Sequence, residues 1–561
     1  MDQITKHIRS IVIDLFNEQV DIELTRTDEQ FGDYATNVAM RLSKKLGQNP
    51  RELAQKIVDN LKSGDITKAE VAGPGFINLT LSDDLLINLA SESQMDKVEE
   101  IVVIETNNPN PFKAMHIGHA FNAILGDTIA NLLDRKFNEV HRVSYHGDVG
   151  AHVGRSMYSL LKFVGGDPAK LDDIPENERN QFMSKMYAEG TKAYKDDPEA
   201  ATEIDELSKQ SFSPEGVYKE VYETCKKWSF DQIDSIVKKL GNKPIEKRYL
   251  EGQADALGVE IVKANVGDVF FENDGALVFP GSKYGTFDNV FVASTGRGLY
   301  GARDLGLMKL KYDDYHPSKS YIVTAEEQKD YFKGAIKAAE LIDESVKDVT
   351  VNISTGTVKL STGKMSSRSG DVLEIGWLFD QMAEAMKERG GQTTDEFVSG
   401  ALRYQFLKVK IGSDVVFDVE ESVTLQGNSG PYLQYAHARA SSILAKAQSS
   451  VIPDSDRGSS KILDPLIKSE DDTIGFEPGE RSLLRKISEY NEVVERAVEE
   501  LLPHYVCTYL YELAQVFNRF YEHNTVIGDE REETRVQLVS MYAQTLKQGL
   551  GLLGIYAPEK M

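Results

Sequence analysis

The spacing of apolar residues predicts different elements along the chain. Residues 1–82 begin with apolar positions at helical spacing and end in a run, 76–81, whose apolar and polar side chains alternate as in a strand. Farther on, the β-branched run at 101–104 leads into an Asn- and Pro-rich turn, and helical spacing resumes from His116. A strand, a tight loop and a helix in this order form the opening unit of a doubly wound α/β domain.

The remaining pattern predicts a multidomain α/β chain, because 561 residues are too many for one hydrophobic core. Residues from about 157 to 247 are polar with helical spacing, which favours a helical insertion over a part of the sheet. Toward the C-terminus the spacing is almost wholly helical. We therefore predict a small N-terminal α+β domain over 1–82, a Rossmann-like doubly wound domain over 95–385 and an all-helical domain over 386–561.

Composition narrows the class of protein. The hydrophobic and charged fractions, 41% and 27%, are those of an ordinary globular chain, and no stretch approaches the roughly 20 apolar residues of a membrane-spanning helix. Charged residues interrupt the N-terminal segment, so we expect no secretory signal, no membrane partner and a cytoplasmic protein. Cys225 and Cys507 have no metal-ligand spacing and are expected to be free thiols. The net charge of −25 favours a local, specific nucleic-acid contact over general coating.

The strongest chemical signal is the run His116-Ile117-Gly118-His119 at the predicted start of a helix. Two residues spaced i and i+3 lie on one side of the first turn, where free N–H groups and the helix dipole already favour an anion. Gly118 leaves room for a nucleotide, and the histidines can donate to a phosphate that gains negative charge during reaction. The alternative is a pair of helix-capping or surface histidines.

A second signal is the loop Gly-Lys-Met-Ser-Ser-Arg at 363–368, whose cations and hydroxyls can close over a triphosphate and neutralise departing pyrophosphate. Together the two signals resemble the paired signatures of the class I aminoacyl-tRNA synthetases. Ser367 stands where that family usually has a second Lys, and Lys113 is a candidate substitute. The resemblance implies catalytic roles for His116, His119, Lys364, Arg368 and Lys113, and ATP binding by His116, Gly118, His119, Lys364, Met365 and Ser366.

Two further segments resemble the arginyl branch of these enzymes. They are ETNNPNPFKAMHIGH, before and through the first signature, and GLYGARDLGLMKLKY, which contains a Tyr-x-x-x-Asp spacing. A guanidinium needs carboxylates, since the two groups can form paired charged hydrogen bonds. The acidic residues could also be helix caps or surface charges. The resemblance implies that arginine is held by Glu105, Asn110, Tyr300, Asp304 and Gln328.

The resemblance covers nearly the whole chain, from about Phe31 to Met561. It implies a domain that binds the tRNA elbow over 1–82, a catalytic domain over 95–385, and a helical stem with the anticodon-binding domain over 386–561. Its implied tRNA contacts are Phe76, Asn78, Tyr435, Tyr521 and Met561, since exposed aromatic side chains can stack on unpaired bases. The alternative for Phe76, Tyr435, Tyr521 and Met561 is a place in the hydrophobic core. The C-terminal apolar stripe of Tyr509, Leu510, Leu513, Phe517 and Phe520 is expected to be helix-packing core instead.

The resemblance also implies the reaction. Arginine would be activated by ATP to arginyl-adenylate and then transferred to the 3′-terminal adenosine of tRNA(Arg). Mg²⁺ is expected to accompany ATP as a counter-ion, with no metal site built from the protein, and a monomer is expected. The alternatives are a class I synthetase of another specificity, a non-catalytic tRNA-binding relative, and a small-molecule nucleotidylyltransferase, although such transferases are much shorter.

Overall fold

The computed structural model describes residues 2–91, 95–361, 374–450 and 475–561. The predicted site residues Lys364, Met365, Ser366 and Arg368 lie outside the described residues, as does most of the polar stretch between the C-terminal helices.

The N-terminal region is a four-stranded antiparallel sheet with helices against it. Its elements are α1 (Asp2–Phe16), β1 (Leu24–Arg26), β2 (Tyr34–Thr36), α2 (Val38–Leu46), α3 (Pro50–Asn60), β3 (Ile66–Ala72), β4 (Phe76–Leu81) and α4 (Asp83–Ser91). The strand order is β1-β2-β4-β3. In β4, Ile77, Leu79 and Leu81 are buried while Phe76 and Asn78 lie on the opposite face, so the predicted alternation is confirmed.

A five-stranded parallel sheet forms the centre of the chain. The elements of this region are β5 (Val98–Glu105), α5 (Ile117–Lys136), β6 (Phe137–His146), α6 (Ala151–Val164), α7 (Arg179–Asp196), α8 (Pro198–Gln210), α9 (Gly216–Lys239), β7 (Lys247–Leu250), α10 (Glu251–Ala264), β8 (Phe271–Asn273), β9 (Ala276–Phe279), β10 (Asn289–Val292), α11 (Tyr300–Tyr315), β11 (Lys319–Ala325), α12 (Lys329–Ile342), β12 (Thr350–Thr355) and β13 (Val358–Leu360). The order is β12-β11-β5-β6-β7, with every pair parallel. The winding direction reverses between β5 and β11, and ligands of open α/β sheets bind at such a switch point, beyond the carboxyl ends of the strands.

Two features of this region refine the sequence-based picture. The polar segment between β6 and β7 is helical, as predicted, and packs around buried side chains such as Met157, Tyr222 and Trp228. The strands that follow it in the chain divide between two sheets. Strands β8, β9 and β10 form a separate antiparallel sheet, whereas β11 and β12 complete the parallel one, and local spacing alone does not distinguish the two.

The C-terminal region is built from helices and one short strand. Its elements are α13 (Ile375–Glu388), α14 (Asp395–Leu407), β14 (Val415–Phe417), α15 (Val419–Ser422), α16 (Gly430–Ser450), α17 (Pro478–Ile487), α18 (Tyr490–Glu500), α19 (His504–His523) and α20 (Glu532–Leu552). The all-helical prediction misses β14, which pairs in parallel with β13 and is too short to show alternation. The five residues of the predicted apolar stripe on α19 are buried, so their assignment to the core is confirmed.

Both cysteines are free, as predicted, and both are buried. Within the described ranges, no helix is long and apolar enough to span a bilayer.

Candidate active site

The two histidines of the first signature lie at the N-terminus of α5, beside the switch point. The Nδ1 atom of His116 accepts from the backbone N–H of His119 at 3.4 Å, and the backbone N–H of His116 donates to Nδ1 of His119 at 3.2 Å. The rings stack with 3.6 Å between their centroids. The histidines do cap the helix, but only through Nδ1, which leaves both Nε2 atoms for another partner.

The protonation of this pair follows from its surroundings. Burial, helped by the charge of Lys113, lowers the pKa of His116 to about 4. Burial, together with the neighbouring His116 ring and the charge of Lys113, also lowers the pKa of His119 well below its usual value. Both rings are therefore neutral at pH 7. Since Nδ1 of each ring accepts a hydrogen bond, the remaining proton is on Nε2, and each ring presents an Nε2–H donor.

Two glycines of α5 allow close packing at this site. A side chain at Gly118 would begin 3.2 Å from the His116 ring, so the glycine keeps the ring in its stacked position as well as leaving space for a ligand. At Gly126 a Cβ would lie 2.9 Å from Cα of Thr106, the residue after β5. The helix therefore packs directly on the end of the central strand, which fixes the histidines relative to the sheet.

Residues that flank the second signature are anchored near the first. The hydroxyl of Ser361, after β13, donates to Asp418 at 2.6 Å. On the other side of the signature, Glu374 forms a β-bridge with His116, and the N–H of Ile375 donates to the carbonyl of Met115 at 3.1 Å. The chain thus returns to the histidine pair directly before α13.

The predicted carboxylate Glu105 is the last residue of β5 and is buried. One of its oxygens accepts from Nζ of Lys311 at 2.6 Å, and the other accepts from Nδ2 of Asn108 at 2.6 Å. The Glu105 and Lys311 side chains are each 1% exposed. Glu105 is therefore neither a helix cap nor a surface charge, and it already has a cationic partner that the sequence analysis did not identify.

The second predicted carboxylate, Asp304, lies in the same cluster on α11. Tyr331 of α12 donates to it at 2.5 Å. Burial, together with the nearby negative charge of Glu105, raises the pKa of Asp304 to about 7 despite that hydrogen bond and the charge of Lys311. The negative charge of Asp304 also contributes, after burial, to a raised pKa of Tyr145 on β6. The structure thus brings Glu105 and Asp304 close enough for their charges to interact.

The other predicted arginine ligands, Asn110, Tyr300 and Gln328, have different surroundings. Oδ1 of Asn110 accepts from the N–H of Gly147 at 2.9 Å, at the end of β6. Tyr300, the first residue of α11, is 73% exposed. Gln328 is also exposed and ends the short 3₁₀ turn before α12. The described contacts do not bring Tyr300 and Gln328 to the carboxylates, so their roles remain predictions.

An ion-pair group that the sequence analysis missed lies beside Asn110. Arg303 binds Glu251 and, at 2.9 Å, Asp255. A Cβ at Gly147 would lie 2.5 Å from Glu251 and 3.0 Å from Oδ1 of Asn110. The group therefore packs directly against Gly147 and Asn110. Arg303 directly precedes the predicted ligand Asp304, and this adjacency is the one feature of the sequence that could have indicated a role for Arg303 at the site.

The predicted tRNA contacts lie far apart in the sequence and differ in exposure. Phe76 is 38% exposed on the outer face of β4, next to Asn78. On the helical region Tyr435 is 45% and Met561 39% exposed. Tyr521 is half-buried, with the Arg439 guanidinium 4.5 Å from its ring centre. Each of the five retains some exposed surface, and their tRNA contacts remain predictions.

Comparison with known proteins covers the whole chain. Residues 2–81 match the arginyl tRNA synthetase N-terminal domain, residues 81–399 match the catalytic domain of the class I (R) tRNA synthetases, and residues 433–561 match the DALR anticodon-binding domain. The arginine–tRNA ligase of Haemophilus influenzae (strain PittGG) is 29% identical over 95% of this chain and 94% of that protein. The arginine–tRNA ligase of Bacteroides thetaiotaomicron is 27% identical over 96% of each.

Solved structures show the same fold. The arginyl-tRNA synthetase of Thermus thermophilus superimposes with a TM-score of 0.78 at 22% identity, with all of both chains covered. The arginyl-tRNA synthetase of Plasmodium falciparum gives 0.77 at 20% identity, with 100% of this chain and 99% of that one covered.

The parallel sheet, the histidine pair at its switch point and the matched domains together define a class I aminoacyl-tRNA synthetase. Within that class, the chain belongs to the arginyl-tRNA synthetase family, whose catalytic-domain model matches more than half of it. The predicted fold class and the resemblance to the arginyl branch are confirmed, and with them the expectation of an arginine–tRNA ligase. Membership of the family implies binding of ATP, arginine and tRNA.

Proposed function

We propose that this cleft carries out both steps of arginine ligation, with specific roles for the residues described above. The arginine carboxylate attacks the α-phosphorus of ATP, which gives arginyl-adenylate and releases pyrophosphate. A ribose hydroxyl of the 3′-terminal adenosine of tRNA(Arg) then attacks the adenylate carbonyl, and AMP leaves. The protein contributes positioning and charge stabilisation. The observation that carries the proposal is the pair of Nε2–H donors at the start of α5, on the same sheet edge as the two buried carboxylates.

The histidines act on ATP in this proposal. Neutral His116 and His119 donate from Nε2 to phosphate oxygens, and the N-terminus of α5 adds its free N–H groups. Lys113, whose charge reaches both rings, lies close enough to add a positive charge. From the segment outside the described residues, Lys364 and Arg368 are proposed to neutralise departing pyrophosphate, with Met365 and Ser366 closing over the nucleotide.

The acidic cluster selects arginine in this proposal. Glu105 and Asp304 accept from the guanidinium, since carboxylates can do so with two oxygens each. Asn110 and Tyr300 hold the remainder of the amino acid, and Gln328 closes the same side. For Tyr300 and Gln328 this requires movement toward the cleft from their exposed positions.

Mg²⁺ is proposed to enter with ATP and to be held chiefly by phosphate oxygens and water. The carboxylates at the strand ends suit this arrangement, because Glu105 is already paired with Lys311 and Glu251 with Arg303. These carboxylates therefore accept hydrogen bonds from cations of the protein and of the substrate. The ion would supply charge neutralisation of the triphosphate.

The tRNA is proposed to contact both ends of the chain. Phe76 and Asn78 lie together on β4 and face outward, which suits an unpaired base of the tRNA elbow. Tyr435, Tyr521 and Met561 are proposed contacts for the anticodon arm. The proposal also includes a monomer that acts in the cytoplasm.

The direct test is ATP–pyrophosphate exchange with each standard amino acid, with and without total tRNA. Of the standard amino acids, only arginine is expected to support exchange. Exchange with lysine or glutamine at the arginine rate would exclude the proposed selectivity. A protein that binds tRNA but supports no exchange with any amino acid, even with tRNA present, would be the non-catalytic relative instead.

A further inference from the structure

Lys311 is a fully buried cation in the arginine cluster. It lies seven positions after Asp304 on α11, so both side chains project from the same side of that helix. Its Nζ atom is 2.6 Å from Oε1 of Glu105, and both side chains are 1% exposed. A buried charge is costly unless it is paired, which makes this contact a constraint on both residues.

The Glu105 carboxylate is held at both oxygens. Asn108 donates to Oε2 at 2.6 Å, and Oδ1 of Asn108 in turn accepts from the backbone N–H of Tyr145 on β6 at 2.9 Å. An ionised carboxylate has about four acceptor positions, and Lys311 and Asn108 occupy two of them. The carboxylate plane is therefore fixed while acceptor positions remain for a guanidinium.

The charge of the cluster is also set by Lys311. Asp304 is faced by Glu105 at the end of β5, Lys311 on its own helix, Tyr331 on α12, and Tyr145 on β6. The more distant Glu251 is neutralised by Arg303. With Glu105 and Asp304 ionised, Lys311 leaves one net negative charge, which one guanidinium matches. Without Lys311, two buried carboxylates would face each other, and ionisation of both would be disfavoured.

We propose that Lys311, together with Asn108, is a positioning residue for arginine recognition: it orients Glu105 and limits the cluster to one unmatched negative charge. This inference rests on the proposed role of Glu105 and Asp304 as the arginine site. Helix α11 then has two functions, since it supplies both Asp304 and Lys311, the cation that pairs with Glu105.

The test compares Lys311→Met with Lys311→Arg, and with Lys309→Met as a matched control. Lys309 lies on the same helix but forms an exposed pair with Asp313. Arginine and ATP KM values are measured by ATP–pyrophosphate exchange from pH 6 to 9, and melting temperatures are recorded. Lys311→Met is expected to raise the arginine KM about tenfold or more, because a misplaced charged contact costs more than 1.4 kcal/mol, while the ATP KM changes less than about twofold.

The pH profile separates positioning from general stability. Removal of the Lys311 charge should move the acidic limb of arginine kcat/KM to higher pH by about one unit, since a nearby cation favours the ionised carboxylates. Lys311→Arg should keep the parental limb, and Lys309→Met should match the parent throughout. A parental arginine KM and acidic limb in folded Lys311→Met would overturn the proposal, even if its melting temperature falls.

Two additional variants cover the case in which Lys311→Met does not fold and separate this inference from the proposed arginine site. If Lys311→Met does not fold, Asn108→Ala replaces it, because it releases the other Glu105 oxygen without removing a charge. It should raise the arginine KM about threefold or more at an unchanged ATP KM, and an unchanged arginine KM overturns the inference. Glu105→Gln distinguishes the two proposals. If this variant does not alter the arginine KM, the proposed arginine site is wrong. If it does alter the arginine KM while the Lys311 and Asn108 variants do not, only the role proposed for Lys311 is rejected.

Discussion

Arg403 on α14 donates to Oδ2 of Asp127 on α5 at 2.7 Å, and both side chains are fully buried. The same guanidinium donates to the carbonyl of Leu240, after α9, at 2.9 Å and to that of Leu553, after α20, at 2.7 Å. One side chain thus joins the helix that carries the histidine pair to the insertion and to the C-terminal helices. This contact gives α5 a fixed position relative to three parts of the chain.

Arg403→Met should therefore destabilise the protein strongly. The change keeps an apolar stem but removes the closer cation of Asp127 and leaves only Arg142, at 4.0 Å, which is expected to lower the free energy of unfolding by about 3–5 kcal/mol. Denaturant unfolding measures the loss. Arg389→Met is the control, since Arg389 pairs with Glu420 at the surface, where such pairs contribute about 1 kcal/mol or less. Equal losses in the two variants would show that Arg403 does not have this structural role.

The proposed role of the histidine pair depends on the Nε2–H donors. His116→Ala and His119→Ala should each reduce the rate of adenylate formation by about 10² or more, with tRNA affinity nearly unchanged. His116→Gln should lose less than the alanine variant, because its Nε2 amide can still donate where the imidazole Nε2–H did. Pre-steady-state adenylate formation is the measurement, with His523→Ala, a change on the surface of α19, as the control. Losses of tenfold or less in both alanine variants would leave only the capping role.

The raised pKa of Asp304 makes arginine use depend on pH. The carboxyl has an ordinary pKa of 3.8 and is raised to about 7 by burial and the charge of Glu105, so it is largely protonated below neutrality and cannot then offer a full charge to the guanidinium. Arginine kcat/KM should rise up to about tenfold per pH unit below 7 and level off above it. The histidines do not produce this limb, because His116 titrates at about 4. A flat profile from pH 6 to 8 would contradict the assignment.

Asp304→Asn tests the same residue without changing pH. The amide keeps the shape but not the charge, so arginine kcat/KM should fall by an amount equivalent to roughly 2–4 kcal/mol, with ATP KM little changed. Citrulline, which has the shape of arginine without its charge, should be discriminated against less severely by the variant. Arginine and citrulline are compared in parallel on protein with the parental melting temperature. Unchanged selectivity would remove Asp304 from the site.

Local sequence patterns predicted the elements that depend on nearby residues. The β5–α5 unit and its histidine pair follow from spacing and turn chemistry within about 20 positions, and both are present. Lys311 pairs with Glu105 from 206 positions away, so no local pattern could indicate the contact. The exposure of Tyr300 is likewise set by tertiary packing. Its residue type resembled a ligand, but only the structure shows where the side chain lies.

The outward face of β4 in the N-terminal region is proposed to contact tRNA. Phe76→Ala should raise the KM for tRNA by about fivefold or more, since loss of one base stack costs roughly 1–3 kcal/mol. The arginine and ATP KM values should remain parental. Phe271→Ala, at a side chain of similar exposure on β8, serves as the control. A parental tRNA KM in Phe76→Ala would assign the exposed ring to the surface of the N-terminal sheet alone.

One acidic cluster is proposed to make this chain charge tRNA with arginine. The most direct measurement is aminoacylation of total tRNA by the purified protein with each of the standard amino acids, supplied separately with ATP and Mg²⁺. The buried pair of Glu105 and Asp304 predicts that arginine alone is attached, since only its guanidinium can meet both carboxylates with paired hydrogen bonds. Attachment of lysine or glutamine to an equal or greater extent would contradict the account.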